Sequence, residues 1–127
     1  MIDALFNQPN YVAAKKLLEA TVLRHEALAN NLANIETPGY RRVDIAPSFG
    51  AELQRALASD NVDAIAAVQP KLEVDSTALA QSPDGNTVKL ESELVGLQQN
   101  TLNHTLATQL ITEQLLRLQL AVTGRSQ

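Results

Sequence analysis

Two histidines are the side chains best suited to metal chemistry in this sequence. His25 and His104 both fall at positions of an apolar repeat in predicted helices, so packing of those helices could bring the two imidazoles together. No third ligand stands at a spacing typical of a zinc site. Polar residues that hydrogen-bond across a helix pair are the more common explanation for such histidines. We predict no metal ion, and the sequence leaves open whether the two rings meet.

The acidic residues form no pattern that is typical of catalysis. Glu91 and Glu93, and likewise Asp60 and Asp63, have no neighbouring base, so solvated faces are the better interpretation of these pairs. The turn at Asp84 lacks both the glycine position and the distal glutamate of a calcium loop. The sequence contains no phosphate-binding glycine loop and no nucleophile elbow. It therefore predicts neither an enzyme nor a cofactor.

Composition restricts the fold and the partners. The chain has 127 residues, a formal charge of −4, 3% aromatic residues and no cysteine. A net negative charge disfavours binding to nucleic-acid phosphates, and the lack of cysteine excludes disulfides and thiol catalysis. With few aromatic residues, an aliphatic core between packed helices is favoured. We expect one domain over residues 1–127, with no nucleic-acid partner and no small-molecule ligand.

Two long helices are predicted, one over residues 10–35 and one over residues 86–123. In each, mostly apolar residues recur at alternating steps of four and three, which is typical of a helix that packs lengthwise against another. The predicted seam consists of Leu18, Leu28, Leu32, Ile35, Leu94, Leu97, Ile111, Leu115 and Leu118. We therefore predict an all-α fold in which the two helices form an antiparallel, coiled-coil-like pair. Since such a pair buries one face of each helix, we also expect assembly with other chains.

The middle of the chain, residues 36–85, is predicted to be irregular and partly mobile. Four prolines divide it into short pieces: Pro38, Pro47, Pro70 and Pro83. Residues 51–58 are compatible with a short helix. Residues 71–74 alternate in polarity after a proline and are compatible with a short strand.

The stretch ANNLANIETPGYRR, residues 29–42, places asparagines where a stable helix would carry better helix formers. Uncharged amides both donate and accept, so they can bridge to adjacent subunits without burying a charge. An asparagine near a helix end can also simply help to end that helix, and the spacing does not separate these alternatives. A Pro-Gly turn then redirects the chain. The predicted assembly motif is Asn30, Asn31, Asn34, Thr37, Pro38, Gly39 and Tyr40.

This stretch resembles the N-terminal signature of bacterial flagellar rod and hook proteins, in which an Asn-rich helix end runs into Thr-Pro-Gly-Tyr. RRVDIAPSF, SPDGNTVKLESEL and LLRLQLAVTGR are similar to segments of the short rod proteins of that family. The resemblance covers both ends of the chain and leaves residues 50–81 without support.

The resemblance implies a structural subunit of the proximal rod of the flagellar basal body, which assembles through its terminal helices and transmits torque for motility. It implies partners among other rod proteins, copies of the same chain, and an adaptor protein at the basal-body ring or export gate. It further implies a periplasmic location reached by export without a cleaved signal peptide. The N-terminal stretch MIDALFNQPN agrees, because it has neither a basic region nor a long apolar core.

Two alternatives stay open at this point. The first is another short rod protein of the same family. The second is a soluble cytosolic coiled-coil adaptor that uses the same helices to hold one partner.

Overall fold

The computed structural model describes residues 8–124, so most of the N-terminal stretch considered for export lies outside the described residues. Two long helices dominate the structure. The first, α1, spans Pro9–Ala33 and has 25 residues; the last, α4, spans Leu90–Thr123 and has 34 residues. At about 1.5 Å per residue these helices are about 37 Å and about 51 Å long. The helix α4 is therefore the longer of the two by about two and a half turns.

Local signals explain where both helices begin and end. Proline is tolerated at the start of α1 because the first amides of a helix have no intrahelical partner. At the other end of the chain, Glu91 and Glu93 lie in the first turn of α4, where negative charge is favourable to the helix dipole. Gly124 ends α4 in the left-handed conformation, with φ of +67°.

The two helices pack together over most of α1. Gly96 of α4 lies under Leu28 of α1, and a Cβ atom at Gly96 would stand 3.1 Å from Leu28 Cδ2. The amide of Asn100 donates to the Thr21 carbonyl at 2.7 Å. Ala107 is buried further along the same contact. Small and amide side chains on α4 therefore allow the two backbones to approach closely.

The prediction of a strictly all-α fold is wrong in one respect. Strands β1 (Val43–Ile45) and β2 (Leu72–Val74) form a two-stranded antiparallel sheet. Val43 pairs with Val74, and Ile45 pairs with Leu72. The charges around Val43 and Ile45 concealed the first strand, whereas the predicted strand over residues 71–74 is confirmed.

The middle of the chain is also more regular than predicted. Helix α2 (Ser48–Ala58) and helix α3 (Val62–Ala67) pack against α1, which confirms the short helix expected over residues 51–58. They share one apolar cluster with α1, formed by Ala13, Ala20, Phe49, Leu53, Ala56, Ile65 and Val68. Because Phe49, Leu53 and Ala56 repeat at steps of four and three, one face of α2 is apolar and folds onto α1.

α1 is thus the central element of the fold. It contacts α4 on one side and the short helices and strands on the other. Within residues 8–124, no helix combines the length and the hydropathy needed to cross a membrane.

Candidate functional site at the end of the first helix

Asn31 stands at the centre of the site, in the last turns of α1. Its side chain is fully buried. The amide nitrogen donates to the Val43 carbonyl at 2.8 Å, and the amide oxygen accepts from the Val43 N–H at 2.9 Å. The Tyr40 hydroxyl donates to the same oxygen at 3.2 Å. A side-chain amide thereby pairs with β1 as a neighbouring strand would.

Glu93 brings α4 into the same group of contacts. It is 0% exposed, and its Oε2 accepts from the Asn31 amide at 3.2 Å. Arg42 donates to the carboxylate twice, from Nε to Oε1 at 2.7 Å and from Nη2 to Oε2 at 3.4 Å. Since a buried carboxylate is costly without such partners, Arg42 and Asn31 make the burial of Glu93 possible.

Arg42 is shared among three carboxylates. Besides Glu93 it contacts Asp75 at 2.5 Å and Asp44 at 3.1 Å, and Arg24 of α1 reaches the other oxygen of Asp44 at 3.1 Å. Burial by itself would lower the pKa of Arg42, but hydrogen bonds to Glu93 and Asp75 outweigh it and raise the pKa above its ordinary value. The guanidinium therefore stays charged and joins α4, β1 and the segment after β2, and Asp44 links it in turn to Arg24 of α1.

Asn86 completes this group of contacts. It lies in the segment that leads into α4. Its amide nitrogen lies within 3.0 Å of three carbonyl oxygens that follow α1, those of Asn34, Ile35 and Thr37. We call Asn31, Tyr40, Arg42, Asn86 and Glu93 the polar junction. It unites residues separated by up to 62 positions in the sequence.

The interpretation of Glu93 as part of a solvated face is wrong, since its side chain is 0% exposed and paired with Arg42. Reasoning from the sequence also missed Arg42 and Asn86 as site residues. The basic pair Arg41-Arg42 was visible, but nothing local indicated which carboxylate Arg42 would meet 51 positions away. For Glu93, the one available signal was a carboxylate placed between apolar helix positions.

The structure divides the predicted assembly motif into two groups. Asn31 is buried, so its role in this fold is internal, and Tyr40 is half-buried beside it. Asn34 is half-buried, and its amide donates to the Asn30 carbonyl at 2.9 Å, as expected of a residue that ends a helix. The exposed members of the motif are Asn30, Thr37, Pro38 and Gly39. Only these four present their side chains or backbone fully to the exterior.

The predicted seam residues are also placed unequally. Leu28 is fully buried against α4. Half-buried positions are Leu18, Leu32, Ile35, Leu97, Ile111 and Leu118. Leu94 and Leu115 differ from the expectation, since they are 48% and 42% exposed. The buried residues of α4 are Glu93, Gly96, Asn100 and Ala107. The inward side of α4 is therefore rotated by about one residue from the predicted seam.

The two histidines line one groove without forming a metal site. His25 and His104 both border a cavity of about 330 Å³ between the helices. The Nδ1 atom of His104 lies 3.0 Å from the Thr21 hydroxyl. Among the described residues, no cluster of three or more His, Cys, Asp or Glu side chains is arranged to hold a metal ion.

Comparison with known proteins assigns the chain to a family. No protein-family model matches it. The flagellar basal body rod protein FlgB of Cereibacter sphaeroides is 32% identical over 109 residues, which cover 80% of this chain and 84% of that protein. The chain belongs to the FlgB family. FlgB of Borrelia hermsii is 27% identical over 113 residues, with 75% of this chain and 82% of that protein covered. FlgB of Escherichia coli K12 is 27% identical over 117 residues, with 80% and 83% covered.

Membership in the FlgB family confirms the resemblance that was drawn from the motifs at both ends of the chain. The FlgB relatives carry the name of rod proteins of the flagellar basal body, which agrees with the predicted family and location at that level. The polar junction is thus a feature of an FlgB-family chain. It lies where the signature Thr-Pro-Gly-Tyr leaves α1 and meets the start of α4.

Proposed function

We propose that this chain is a structural subunit of the proximal rod of the flagellar basal body. Copies of the chain and other rod proteins pack side by side through the terminal helices, and the resulting tube transmits torque for motility. The observation that carries this proposal is a row of exposed apolar side chains on α4. Catalysis, a cofactor and a small-molecule ligand have no part in it.

The apolar row lies on the side of α4 opposite its buried residues, although Leu106 also borders the cavity between α4, α1 and α2. We call it the outer stripe; its members are Val95, Leu102, Leu106, Leu116 and Leu120, each between 50% and 61% exposed. At about 100° per residue these five residues fall within an arc of about 80°. Gln98, Gln109 and Glu113 fall within the same arc, and the last two interrupt the stripe between Leu106 and Leu116. Single exposed leucines are common on protein surfaces, but five large apolar residues on one side of a helix favour an interface.

Within the subunit, we propose that α1 and α4 form the antiparallel, coiled-coil-like pair. The order of contacts supports this arrangement, since Leu28 meets Gly96 while Thr21, earlier in α1, meets Asn100 and His104, later in α4. The seam leucines that are half-buried or exposed in the single chain complete their burial against neighbouring subunits.

The exposed part of the motif supplies the polar portion of the same interface. Asn30, Thr37, Pro38 and Gly39 carry no charge, so a neighbouring backbone can pair with them without a desolvated ion. The remaining partner and the location are part of the same proposal. An adaptor at the basal-body ring or export gate binds the chain, which reaches the periplasm without cleavage of a signal peptide.

A pair of variants in a strain that lacks the native copy tests the assembly role. Replacing Leu102 and Leu106 together with Glu places two charges on the outer stripe, at side chains that are already exposed in the single chain. We expect helical circular dichroism of the isolated protein to change little and swarming to be lost. The control Gln119→Glu adds one charge to an exposed position outside the stripe and should swarm normally.

Normal swarming by the Leu102→Glu, Leu106→Glu variant would refute the assembly role of the stripe. The adaptor alternative makes a different prediction about the isolated chain. A stable dimer of defined size at micromolar concentration in light scattering would favour that alternative over a rod subunit.

A further inference from the structure

The turn that follows α1 is held both by its own backbone and by a distant residue. Within the turn, the carbonyls of Asn34 and Thr37 accept from the N–H groups of Thr37 and Tyr40, at 3.0 and 3.2 Å. The carbonyl oxygens of Asn34, Ile35 and Thr37 converge on the amide nitrogen of Asn86, at 2.9, 3.0 and 2.8 Å. Asn86 is 2% exposed and lies 49 to 52 positions away in the sequence.

Asn86 is itself held firmly in place. Its side-chain oxygen accepts from the N–H of Val88 at 2.8 Å, and its own N–H donates to Asp84 at 3.0 Å. Its carbonyl accepts from the Gln81 N–H at 2.7 Å. With both its backbone and its amide oxygen fixed, the side chain presents its two N–H groups in one direction.

The next residue continues the contact with the turn. The Thr87 N–H donates to the Tyr40 carbonyl at 3.0 Å, and the Thr87 hydroxyl accepts from the Arg42 N–H at 2.9 Å. Residues 86 and 87 therefore contact the turn at several points between residue 34 and residue 42, along its inner side. Thr37, Pro38 and Gly39, the exposed members of the assembly motif within this turn, lie on its outer side.

We infer that Asn86 is the positioning residue of the assembly site. It draws three carbonyls to one buried point and thereby sets the shape in which Thr37, Pro38 and Gly39 face a neighbouring subunit. This inference rests on the proposed function, in which the exposed motif contacts a neighbour. Asn86 itself contacts no neighbour and acts only through the turn.

The chemistry of the position explains why asparagine stands there. Among short side chains, an amide supplies two donor hydrogens and an acceptor at the same time. Aspartate at this point would turn a negative oxygen towards three carbonyl oxygens, and serine would offer one donor hydrogen. Without these donors the carbonyls of Asn34 and Thr37 keep only the N–H groups of Thr37 and Tyr40, and the Ile35 carbonyl loses the contact with Asn86. Removing a hydrogen-bond partner from a partly buried group is costly.

Two variants and one control test the inference, each measured in two ways. Asn86→Asp keeps the size of the side chain but removes its donors, and Asn86→Ala removes the whole amide. The control Asn61→Ala removes an exposed asparagine that accepts from the Asp63 N–H at the start of α3. The first measurement is amide hydrogen exchange in the isolated full chain, read at Thr37, Tyr40 and Thr87. The second is swarming in the deletion strain.

For both Asn86 variants we expect exchange at these three amides to rise by about 10-fold or more, while helical circular dichroism stays close to that of the parent. Swarming should decrease in both Asn86 variants. The Asn61→Ala control should change neither measurement. These results together would support the positioning role.

Other outcomes would contradict it in distinguishable ways. Unchanged exchange in both Asn86 variants would overturn the inference directly. Complete loss of helical signal in both would also overturn it, because Asn86 would then hold the whole fold and not the turn. Faster exchange with normal swarming would leave Asn86 shaping the turn but refute the proposed assembly role of the motif.

Discussion

The polar junction and the distal half of α4 differ in how completely the single chain buries their side chains. At the junction, Asn31 and Glu93 are fully buried, and Asn86 nearly so. Each buried side-chain polar atom in the part of the chain that the structure describes has a hydrogen-bond partner. Beyond Ala107, by contrast, no residue of 108–124 is buried, although several large apolar residues occur there.

This difference separates a region that is complete within one chain from a region that is not. Polar groups buried at the junction are satisfied within one chain, so the single chain is sufficient to specify that region. The distal half of α4 leaves large apolar side chains exposed in the single chain. Under the proposed function, it is this half of the helix that neighbouring subunits cover.

The largest effect on stability is expected at Arg42. Arg42→Met leaves the buried Glu93 carboxylate without its cation, which should cost about 3–5 kcal/mol of the free energy of unfolding. Urea denaturation followed by circular dichroism measures this cost. The double variant Arg42→Met, Glu93→Met should recover much of the loss, and equal stability of the single and double variants would contradict the explanation.

A matched control lies in the distal half of α4. Arg117 pairs with Glu113 at 2.8 Å, but both side chains are more than half exposed. Arg117→Met should therefore cost about 0.5 kcal/mol or less. A similar cost at both arginines would remove the contrast between the two regions.

Two leucines of the predicted seam should respond differently. Leu28→Ala opens a cavity at a fully buried site against Gly96, so we expect a loss of about 2–5 kcal/mol in the isolated chain. Leu115 is 42% exposed, and Leu115→Ala should cost about 1 kcal/mol or less in the same denaturation experiment. Under the proposed function, swarming should nevertheless weaken in the Leu115→Ala strain, because a neighbouring subunit would cover that side chain. If Leu115→Ala cost as much free energy of unfolding in the isolated chain as Leu28→Ala does, the expected difference between the two sites would be contradicted.

The smallest expected effect is the dependence of folding stability on pH through Asp75. The pKa of Asp75 lies below its ordinary value of 3.8, first because the Thr77 hydroxyl donates to it and also because Arg42 lies beside it. A carboxyl group with a lowered pKa stabilises the fold above its ordinary pKa, and this contribution is lost as the pH falls below that value. The stability difference between the parent and Asp75→Asn should therefore narrow from about pH 5 to about pH 3 in urea titrations. A difference that is constant across this range would contradict the coupling.

The sequence predicted the long elements better than their mutual orientation. A regular alternation of four and three identified both helices, since periodicity is a local property that survives in a single chain. It could not identify the inward side of α4, because leucines occur on several sides of that helix. Polar Glu93 and Asn100 turn inward, while Leu94 turns outward.

The polar junction could not be predicted from the sequence, for a related reason. Its pairs, such as Arg42 with Glu93 and Asn34 with Asn86, are brought together by the packing of α4 on α1, and no local pattern marks them. The strand β1 did carry a local signal, since Arg42 and Asp44 alternate with Val43 and Ile45. The charges obscured that alternation. The asparagines were recognised as unusual, but burial of Asn31 depends on tertiary contacts.

The pairing of Asn31 with β1 has a consequence for the chain at high concentration. Exposed strand edges offer unpaired N–H and C=O groups to which strands of other molecules can add, and this is a common route to aggregation. At Val43 both groups are already occupied by one amide. The Asn31 side chain therefore blocks this edge of β1, and a strand from a second molecule cannot pair with Val43 without displacing it.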